Sequence, residues 1–368
     1  MNRYIAGQLS AAIALATIMA TPGIAQSPAD SKLSVNGFLS QAYARSSGHQ
    51  VLGIPLEGTS DYREAALQFW YRWTDRDNFV MQIAHERVGD GPIGRTKADM
   101  RVDWVFYQRY FGKSTSLRIG KVKAPIGIFN EVRSVGTVLP LYQVPQTFYG
   151  DRSYTTQALD GVVVERRQAL GRGWSFDASA FYGSWDFLQF DLVTKAQARN
   201  AVGGQLWINA PINGLRVGLG GRRITEVGLI ELGPGNDTGK EWHASLDGVF
   251  ERFVVRGEYY VRGFQSGGQR SGYGQLGLNL TSRFSVYGQA EFLDNRLHGE
   301  YFGLVGDIDL KPDRDRVIAL RYAPSPHVVM KVEHHWYKGL NIEDVPLDFF
   351  HDAPLAARYM IFSLSVGF

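Results

Sequence analysis

The chain has no cysteine among its 368 residues. Disulfide bonds therefore cannot stabilise it, which excludes the small disulfide-rich folds that are common among secreted domains. A long apolar run is missing as well. The most apolar stretch, residues 9–20, is about 12 residues long, whereas a helix needs about 20 to cross a bilayer. No later segment approaches that length, so the sequence excludes a helical membrane protein.

Recognisable catalytic and ligand-binding motifs are also missing. The sequence has no Gly-x-Ser-x-Gly nucleophile motif and no metal-ligand spacing, so it predicts no catalytic residue, no metal site and no cofactor. Gly272-x-Gly274-x-x-Gly277 has the spacing of a dinucleotide fingerprint, but it lies in an alternating strand pattern with no helix after it. Nothing in the sequence favours nucleic-acid binding.

The first 25 residues have the pattern of a secretory signal peptide. Arg3 supplies a positive charge, residues 9–20 supply the apolar stretch, and Gly23-Ile24-Ala25 forms a small-x-small cleavage site. We therefore expect residues 1–25 to be removed on export. No linker or composition break divides residues 26–368, so the sequence predicts one domain there.

Much of the mature chain alternates between apolar and polar residues with a period of two, which is typical of β-strands. In residues 357–368, Met360 and Phe362 share one face, while Ser363 and Ser365 lie on the other. One apolar face and one small or polar face suit a strand between lipid and a watery lumen. The predicted fold class is therefore all-β, a transmembrane antiparallel β-barrel formed by residues 26–368.

Short turns alternate with long connections along the chain, as they do in such barrels. The predicted turns are at residues 74–77, 112–115, 169–173, 211–214, 250–252, 281–283 and 323–326. The predicted long loops are residues 46–62, 89–98, 123–158, 184–200, 224–239, 263–271, 293–314 and 338–355. Direct counting gives 17 strands, but an even number is expected, so residues 301–310 are assigned to the seventh outer loop or to an extension of a neighbouring strand. The prediction is 16 strands, with 18 as an alternative in which residues 123–158 hide two more.

Two segments resemble known proteins. A final strand that ends on an aromatic residue, here Phe368, resembles the C-terminal assembly signal of bacterial outer-membrane β-barrels. Residues 117–149 resemble the third outer loop of Gram-negative outer-membrane porins. Within them, an Arg-Ile-Gly run (residues 118–120) leads into a Pro-x-Gly turn (residues 125–127) and looks similar to phosphate-selective porins.

The resemblance implies that the third outer loop folds into the lumen and narrows it. The many apolar residues of this loop favour the same placement, and the alternative is a surface flap or a contact between subunits. The resemblance also implies an outer-membrane location and a homotrimer. The implied partners are the lipid bilayer, lipopolysaccharide, the barrel assembly machinery and small polar solutes.

Charged residues on the more polar strand faces and in the long loop are the candidate channel-lining and constriction residues. They are Arg72, Arg101, Arg109, Arg118 and Arg256 on the predicted wall, with Glu131, Arg133, Asp151 and Arg152 in the loop. Opposite charges on facing walls would create a transverse field that orients polar solutes. Alternatively, the wall arginines are cross-strand partners of carboxylates and specify no solute. One register slip would exchange the two faces of a strand.

The function that the resemblance implies is a porin, a water-filled channel for passive diffusion of small hydrophilic solutes and ions, with no enzymatic activity. The polar faces carry eleven basic and eight acidic residues, which predicts at most a mild anion preference. Two alternatives remain open. One is a substrate-selective channel for phosphate-like anions or sugars, and the other is an outer-membrane barrel enzyme.

Overall fold

The computed structural model describes residues 31–89, 91, 100–150, 158–188, 195–228, 236–301, 304–310, 312–340, 342–345 and 355–368. The predicted signal peptide, residues 1–25, lies outside the described residues, as do the candidate residues Asp151 and Arg152. No helix within the described ranges is long and apolar enough to span a membrane.

The described residues form seventeen β-strands. They are β1 (Leu33–Ser47), β2 (Thr59–Arg72), β3 (Asp77–Val88), β4 (Arg101–Phe111), β5 (Thr115–Lys123), β6 (Ala158–Gly171), β7 (Trp174–Leu188), β8 (Lys195–Asn209), β9 (Leu215–Val227), β10 (Asn236–Val249), β11 (Phe253–Phe264), β12 (Gly267–Asn279), β13 (Phe284–Tyr301), β14 (Leu304–Asp309), β15 (Asp313–Ser325), β16 (Val328–Lys338) and β17 (Ala356–Gly367). Between β5 and β6 lie a short 3₁₀-helix, Asn130–Val132, and a short α-helix, α1 (Gln146–Tyr149).

Sixteen of these strands form a closed antiparallel barrel, because β1 pairs with both β2 and β17. Within the described ranges, β14 pairs with the far end of β13, whereas the rest of β13 pairs directly with β15. β14 is therefore a hairpin extension beyond the barrel wall, as the strand-number argument predicted. The prediction of 16 strands is confirmed. The alternative of 18 is wrong, since residues 124–150 contain only the two short helices.

The apolar face of the strands points outward and the polar face points inward. On β15 and β17, Ile318 is 57% exposed and Phe362 is 44% exposed, whereas Ser363 and Ser365 are buried. On β16, Val332 is exposed and its neighbours Lys331 and Glu333 are buried. A water-soluble barrel would bury its apolar face instead. The polarity is that of a transmembrane barrel, with lipid outside and polar groups inside.

The short turns lie at one rim of the barrel. The start of β1 and the end of β17 lie at the same rim, where Phe38 pairs with Gly367.

One predicted long loop, residues 263–271, is not a loop: β11 and β12 are joined by Gln265 and Ser266 alone. The carboxylate of Asp237 accepts hydrogen bonds from the backbone N–H groups of both residues, at 3.0 and 2.8 Å. Asp237, on the neighbouring strand β10, thus supplies the acceptors for both N–H groups of the turn. Local composition does not reveal this long-range contact.

A β-bulge in β4 changes which residues face inward. The register with β3 shifts so that Gln82 is opposite Trp104 while Ile83 is opposite Val102, which leaves Asp103 as an extra residue. Asp103 and Trp104 are consecutive and both buried. Because a bulge inserts one residue into the alternation, the faces after it are exchanged relative to a strict period of two.

Arg109 consequently lies on the outward face, and its assignment to the inner wall is wrong. Val105 is 46% exposed, and Tyr107, two residues later on the same face, contacts the exposed ring of Phe79 with centroids 5.4 Å apart. Arg109 follows on this face, where its guanidinium lies 3.2 Å from the carboxylate of Asp77. The sequence argument failed here because it counted through the bulge.

Spin labels on β4 test the position of the bulge. In the cysteine-free chain, a label at Tyr107→Cys should face lipid and show several-fold higher accessibility to oxygen than a label at Gln108→Cys. Electron paramagnetic resonance in lipid vesicles, with oxygen and a water-soluble nickel reagent as relaxants, measures this contrast. The reverse order of accessibilities would mean that the bulge is absent.

Candidate functional site

Residues 124–150, here called the long segment, leave the sheet after β5 and contact the inward face of the wall. Pro125, Pro140 and Pro145 lack the backbone N–H that continuous strand pairing needs. Wall side chains donate to carbonyl groups of the segment: Arg321 on β15 to Thr137 at 3.0 Å, and Lys331 on β16 to Leu141 at 2.7 Å.

Three buried carboxylates of the wall hold the backbone of the long segment. Glu258 on β11 accepts a hydrogen bond from the N–H of Ile128 at 3.0 Å, and Glu291 on β13 accepts one from the N–H of Thr147 at 2.8 Å. Glu333 on β16 accepts one from the N–H of Tyr142 at 2.6 Å. A buried backbone N–H is costly to leave without an acceptor, and these carboxylates supply one at each point. The segment is thus attached to three strands by the same chemistry.

Each of these three carboxylates lies on the inward face of its strand and is buried. The 3₁₀-helix and α1 each lie close to one of the contact points.

The hydroxyl of Tyr149 connects the two ends of the segment. It donates to the carboxylate of Glu258 and accepts from the N–H of Ile128 at 2.8 Å and from the N–H of Phe129 at 3.0 Å. Burial, together with the neighbouring charge of Glu258, raises the pKa of Tyr149 well above its ordinary value. The phenol therefore stays protonated and continues to donate. The hydroxyl of Tyr273 on β12 donates to the same carboxylate at 2.7 Å.

An apolar cluster forms around these polar contacts. The ring of Phe148 packs against Tyr149 at 4.5 Å and against Tyr260 of β11 at 5.7 Å, measured between ring centroids. Phe129 contacts Tyr273 at 6.3 Å. Aromatic pairs of this kind contribute about 0.5–1.5 kcal/mol beyond the burial of their surface. The long segment therefore has its own buried core against the wall from β11 to β12.

The structure brings two candidate charges together as an ion pair. Arg118 on β5 lies 3.0 Å from Glu131 of the 3₁₀-helix and 3.0 Å from Glu165 on β6. The side chain of Glu131 remains half exposed. At this point the opposite charges of Arg118 and Glu131 are in contact rather than on facing walls.

The other candidate residues are spread around the wall. Arg256 on β11 binds Asp247 at 2.8 Å and lies over the ring of Phe129 at 5.2 Å. Arg101 on β4 binds Glu86 at 2.8 Å.

Two further candidates have no carboxylate partner among the described residues. Arg133 donates to the carbonyl of Tyr149 at 2.7 Å. Arg72 is exposed at the end of β2 that leads into the turn before β3. Its side chain and that of Tyr71 lie on different faces of the sheet. Its cross-strand partner is the buried Asn78 of β3.

The sequence argument missed the residues that hold the long segment. Glu258, Glu291 and Glu333 are among the eight acidic residues of the predicted polar faces, but the sequence pattern did not identify them as partners of the segment. The apolar character of the segment indicated that it packs against something. The individual pairs could not be predicted, because they join residues more than 100 positions apart.

The terminal residue lies at the closure of the barrel. The backbone N–H of Phe368 donates to the carbonyl of Gly37, and the N–H of Gly37 donates to the carbonyl of Phe368, both at 3.0 Å. Its role as an assembly signal stays a prediction.

Comparison with solved structures gives several barrels of the same architecture. Outer-membrane expressed OmpT of Vibrio cholerae aligns over 93% of this chain and 100% of its own, with a TM-score of 0.58 and 12% identity. An anion-selective porin from Comamonas acidovorans aligns over 91% and 99%, with a TM-score of 0.58 and 11% identity. The chain has the porin fold. OmpF of Salmonella typhi, solved in complex with daunomycin, aligns over 91% of this porin-fold chain and 97% of its own, with a TM-score of 0.58 and 11% identity. No protein-family model matches the sequence, and comparison with curated proteins gave no match.

Substitution of Tyr149 tests the attachment of the long segment. Tyr149→Phe removes the acceptor of the Phe129 N–H, and such a loss costs about 1–3 kcal/mol. We expect hydrogen exchange at the Phe129 amide to accelerate by about tenfold, the factor that corresponds to about 1.4 kcal/mol.

Tyr142→Phe is the matched control, because the buried Tyr142 hydroxyl has no hydrogen-bond partner among the described residues. This variant should leave exchange at Phe129 unchanged. Equal exchange in Tyr149→Phe and the unmodified protein would show that the hydroxyl does not hold the segment.

Proposed function

We propose that this protein is an outer-membrane porin, a water-filled channel through which small hydrophilic solutes and ions diffuse passively. The observation that carries the proposal is the polarity of the closed barrel, apolar outside and polar inside. Such a barrel can lie in lipid while its inner wall accommodates water and ions. The porin fold of the solved structures supports the same function. The proposed activity is not enzymatic and uses no cofactor.

The proposed constriction is the long segment, folded into the lumen. Its contacts with inward side chains of β11, β13, β15 and β16 support this position. A segment attached to several strands can narrow a wide barrel without depending on one contact. Solutes would then be sorted by the remaining bore and by the charges beside it.

The proposed ion preference is weakly anionic. Most of the inward arginines have carboxylate partners, such as Arg256 with Asp247 and Arg118 with Glu165, and paired charges attract mobile ions little. Arg72 and Arg133 have none among the described residues, and these two arginines are the basis of the proposed anion preference. A strongly phosphate-selective channel would be expected to have more such arginines close together. We therefore favour general diffusion over a substrate-selective channel.

The proposed location is the outer membrane and the proposed assembly is a homotrimer. A trimer form of OmpT from Vibrio cholerae, with a TM-score of 0.57 and 11% identity to this chain, supports the assembly by fold alone. The signal peptide, the assembly machinery and lipopolysaccharide belong to the same proposal and follow from the sequence.

Conductance in a planar lipid bilayer tests the function. The purified protein should insert in large steps, in groups of three for a trimer, with a reversal potential across a potassium chloride gradient that is near zero or mildly anion-selective. Small steps blocked saturably by phosphate or a sugar would support a substrate-selective channel instead. An absence of conductance, with hydrolysis of lipid or peptide substrates, would support a barrel enzyme.

Exchange of the Arg72 charge tests the contribution of the inner wall to ion preference. Arg72→Glu should shift the ratio of anion to cation permeability toward cations by about a factor of two, because it reverses a charge without breaking a described ion pair. Reversal potentials at low salt measure the shift. Arg166→Glu on β6 is the matched control, since Arg166 is exposed near the same rim on the outward face and has no ion pair among the described residues. Equal shifts in the two variants would contradict an inner-wall effect.

A further inference from the structure

Three valines of the long segment form a row along one side of it. The N–H of Val132 donates to the carbonyl of Phe129 at 2.9 Å. The N–H groups of Val135 and Val138 each donate to the carbonyl three residues earlier, at 2.9 and 3.0 Å. Residues three apart lie above one another in turns of this kind, which rise about 2 Å per residue. The valine row, defined as these three valines, is therefore about 12 Å long.

The valine row lies on the side of the segment that faces away from the barrel wall. Its two ends, Val132 and Val138, are 38% and 56% exposed, and the middle member is partly exposed. The other side of the segment is against the wall. Gly136 is buried there, and a side chain at this position would overlap the hydroxyl groups of Ser40 on β1 and Ser365 on β17. The row therefore faces the space that remains inside the barrel.

Two cations flank the valine row, and neither has a carboxylate partner among the described residues. Arg133 lies at one end of the row and Arg321 of β15 at the other. Each donates to a backbone carbonyl of the long segment, at 2.7 and 3.0 Å. The only carboxylate in residues 129–139 is that of Glu131, which pairs with Arg118. The charge beside the row is therefore positive.

We propose that the valine row and its two flanking arginines make the channel favour organic anions with an apolar tail over hydroxylated anions of the same charge. The guanidinium of Arg133 or Arg321 attracts the anionic head. A tail beside the valines removes apolar surface from water, whereas hydroxyl groups there would lose hydrogen bonds to water.

This inference rests on the proposed function, because it names the solute class that passes most readily through that channel. It requires diffusion along the row and no saturable binding. Single exposed apolar side chains are common on protein surfaces. A continuous apolar row between two cations is a different surface, because it matches both parts of an amphiphilic anion.

Permeability to two organic anions tests the inference. Hexanesulfonate and gluconate have equally long carbon chains and the same charge, but the chain of gluconate is hydroxylated and that of hexanesulfonate is apolar. In a planar bilayer, the potassium salt of each anion is placed opposite potassium chloride. The reversal potential then gives the permeability of the anion relative to chloride, and the hexanesulfonate value is divided by the gluconate value.

A triple variant removes the apolar surface and keeps the β-branched side-chain shape. It replaces the valine row with threonine: Val132→Thr, Val135→Thr and Val138→Thr. The matched control makes the same change at exposed valines of the outward face: Val164→Thr on β6, Val202→Thr on β8 and Val217→Thr on β9. The permeability ratio should fall about threefold in the triple variant, close to the factor for burying one CH₂ group. It should be unchanged in the control.

The outcomes separate this inference from the proposed function. An equal ratio in the unmodified protein and the triple variant would overturn the inference and leave the porin proposal intact. An equal fall in the control would overturn it as well, because the effect would not belong to the row. Val138→Thr alone changes the most exposed valine of the row, and should lower the ratio in the same direction if the triple variant does not insert. Absence of conductance in potassium chloride would refute the proposed function, and this inference with it.

Discussion

The backbone hydrogen bonds between β1 and β17 are the constraint on which the rest of the structure depends. Ten residue pairs, from Phe38 with Gly367 to Ser47 with Arg358, join the first strand to the last. Closure leaves no unpaired strand edge in the ring, which a barrel in lipid requires because hydrocarbon offers no partners for N–H and C=O groups. Closure also gives every strand an inward and an outward face. The alternation of polar and apolar residues along each strand therefore sets both which side chains face lipid and which face the interior.

The contacts of the long segment show how polar wall residues can hold an apolar segment. The long segment brings Phe129, Phe148 and Tyr149 into contact with wall aromatics, while its backbone groups bind Glu258, Glu291 and Glu333. Burying a carboxylate is costly unless donors surround it. Glu258 has four, from the segment, from β10 and from β12. Wall and segment therefore satisfy each other's polar groups.

The residue types on the outward face also change along the strand direction. Its apolar residues form the middle, and basic residues such as Arg316 and Arg358 follow toward the rim opposite the termini. A membrane imposes the same sequence of environments, from hydrocarbon to charged headgroups. On the inner wall, several arginines meet carboxylates of the same chain, as Arg118 and Arg256 do.

The alternation of apolar and polar residues by itself determined the fold class and the outward position of Met360 and Phe362. Together with the requirement for an even number, it also gave 16 strands. It could do so because alternation and turn composition are local properties. It failed at β4, where a single extra residue, Asp103, exchanged the faces and moved Arg109 outward. It also could not find Asp237 beneath the turn at Gln265, or the carboxylates that bind the long segment. Only the tertiary structure decided these, because each depends on register and on contacts between distant strands, which no local pattern encodes.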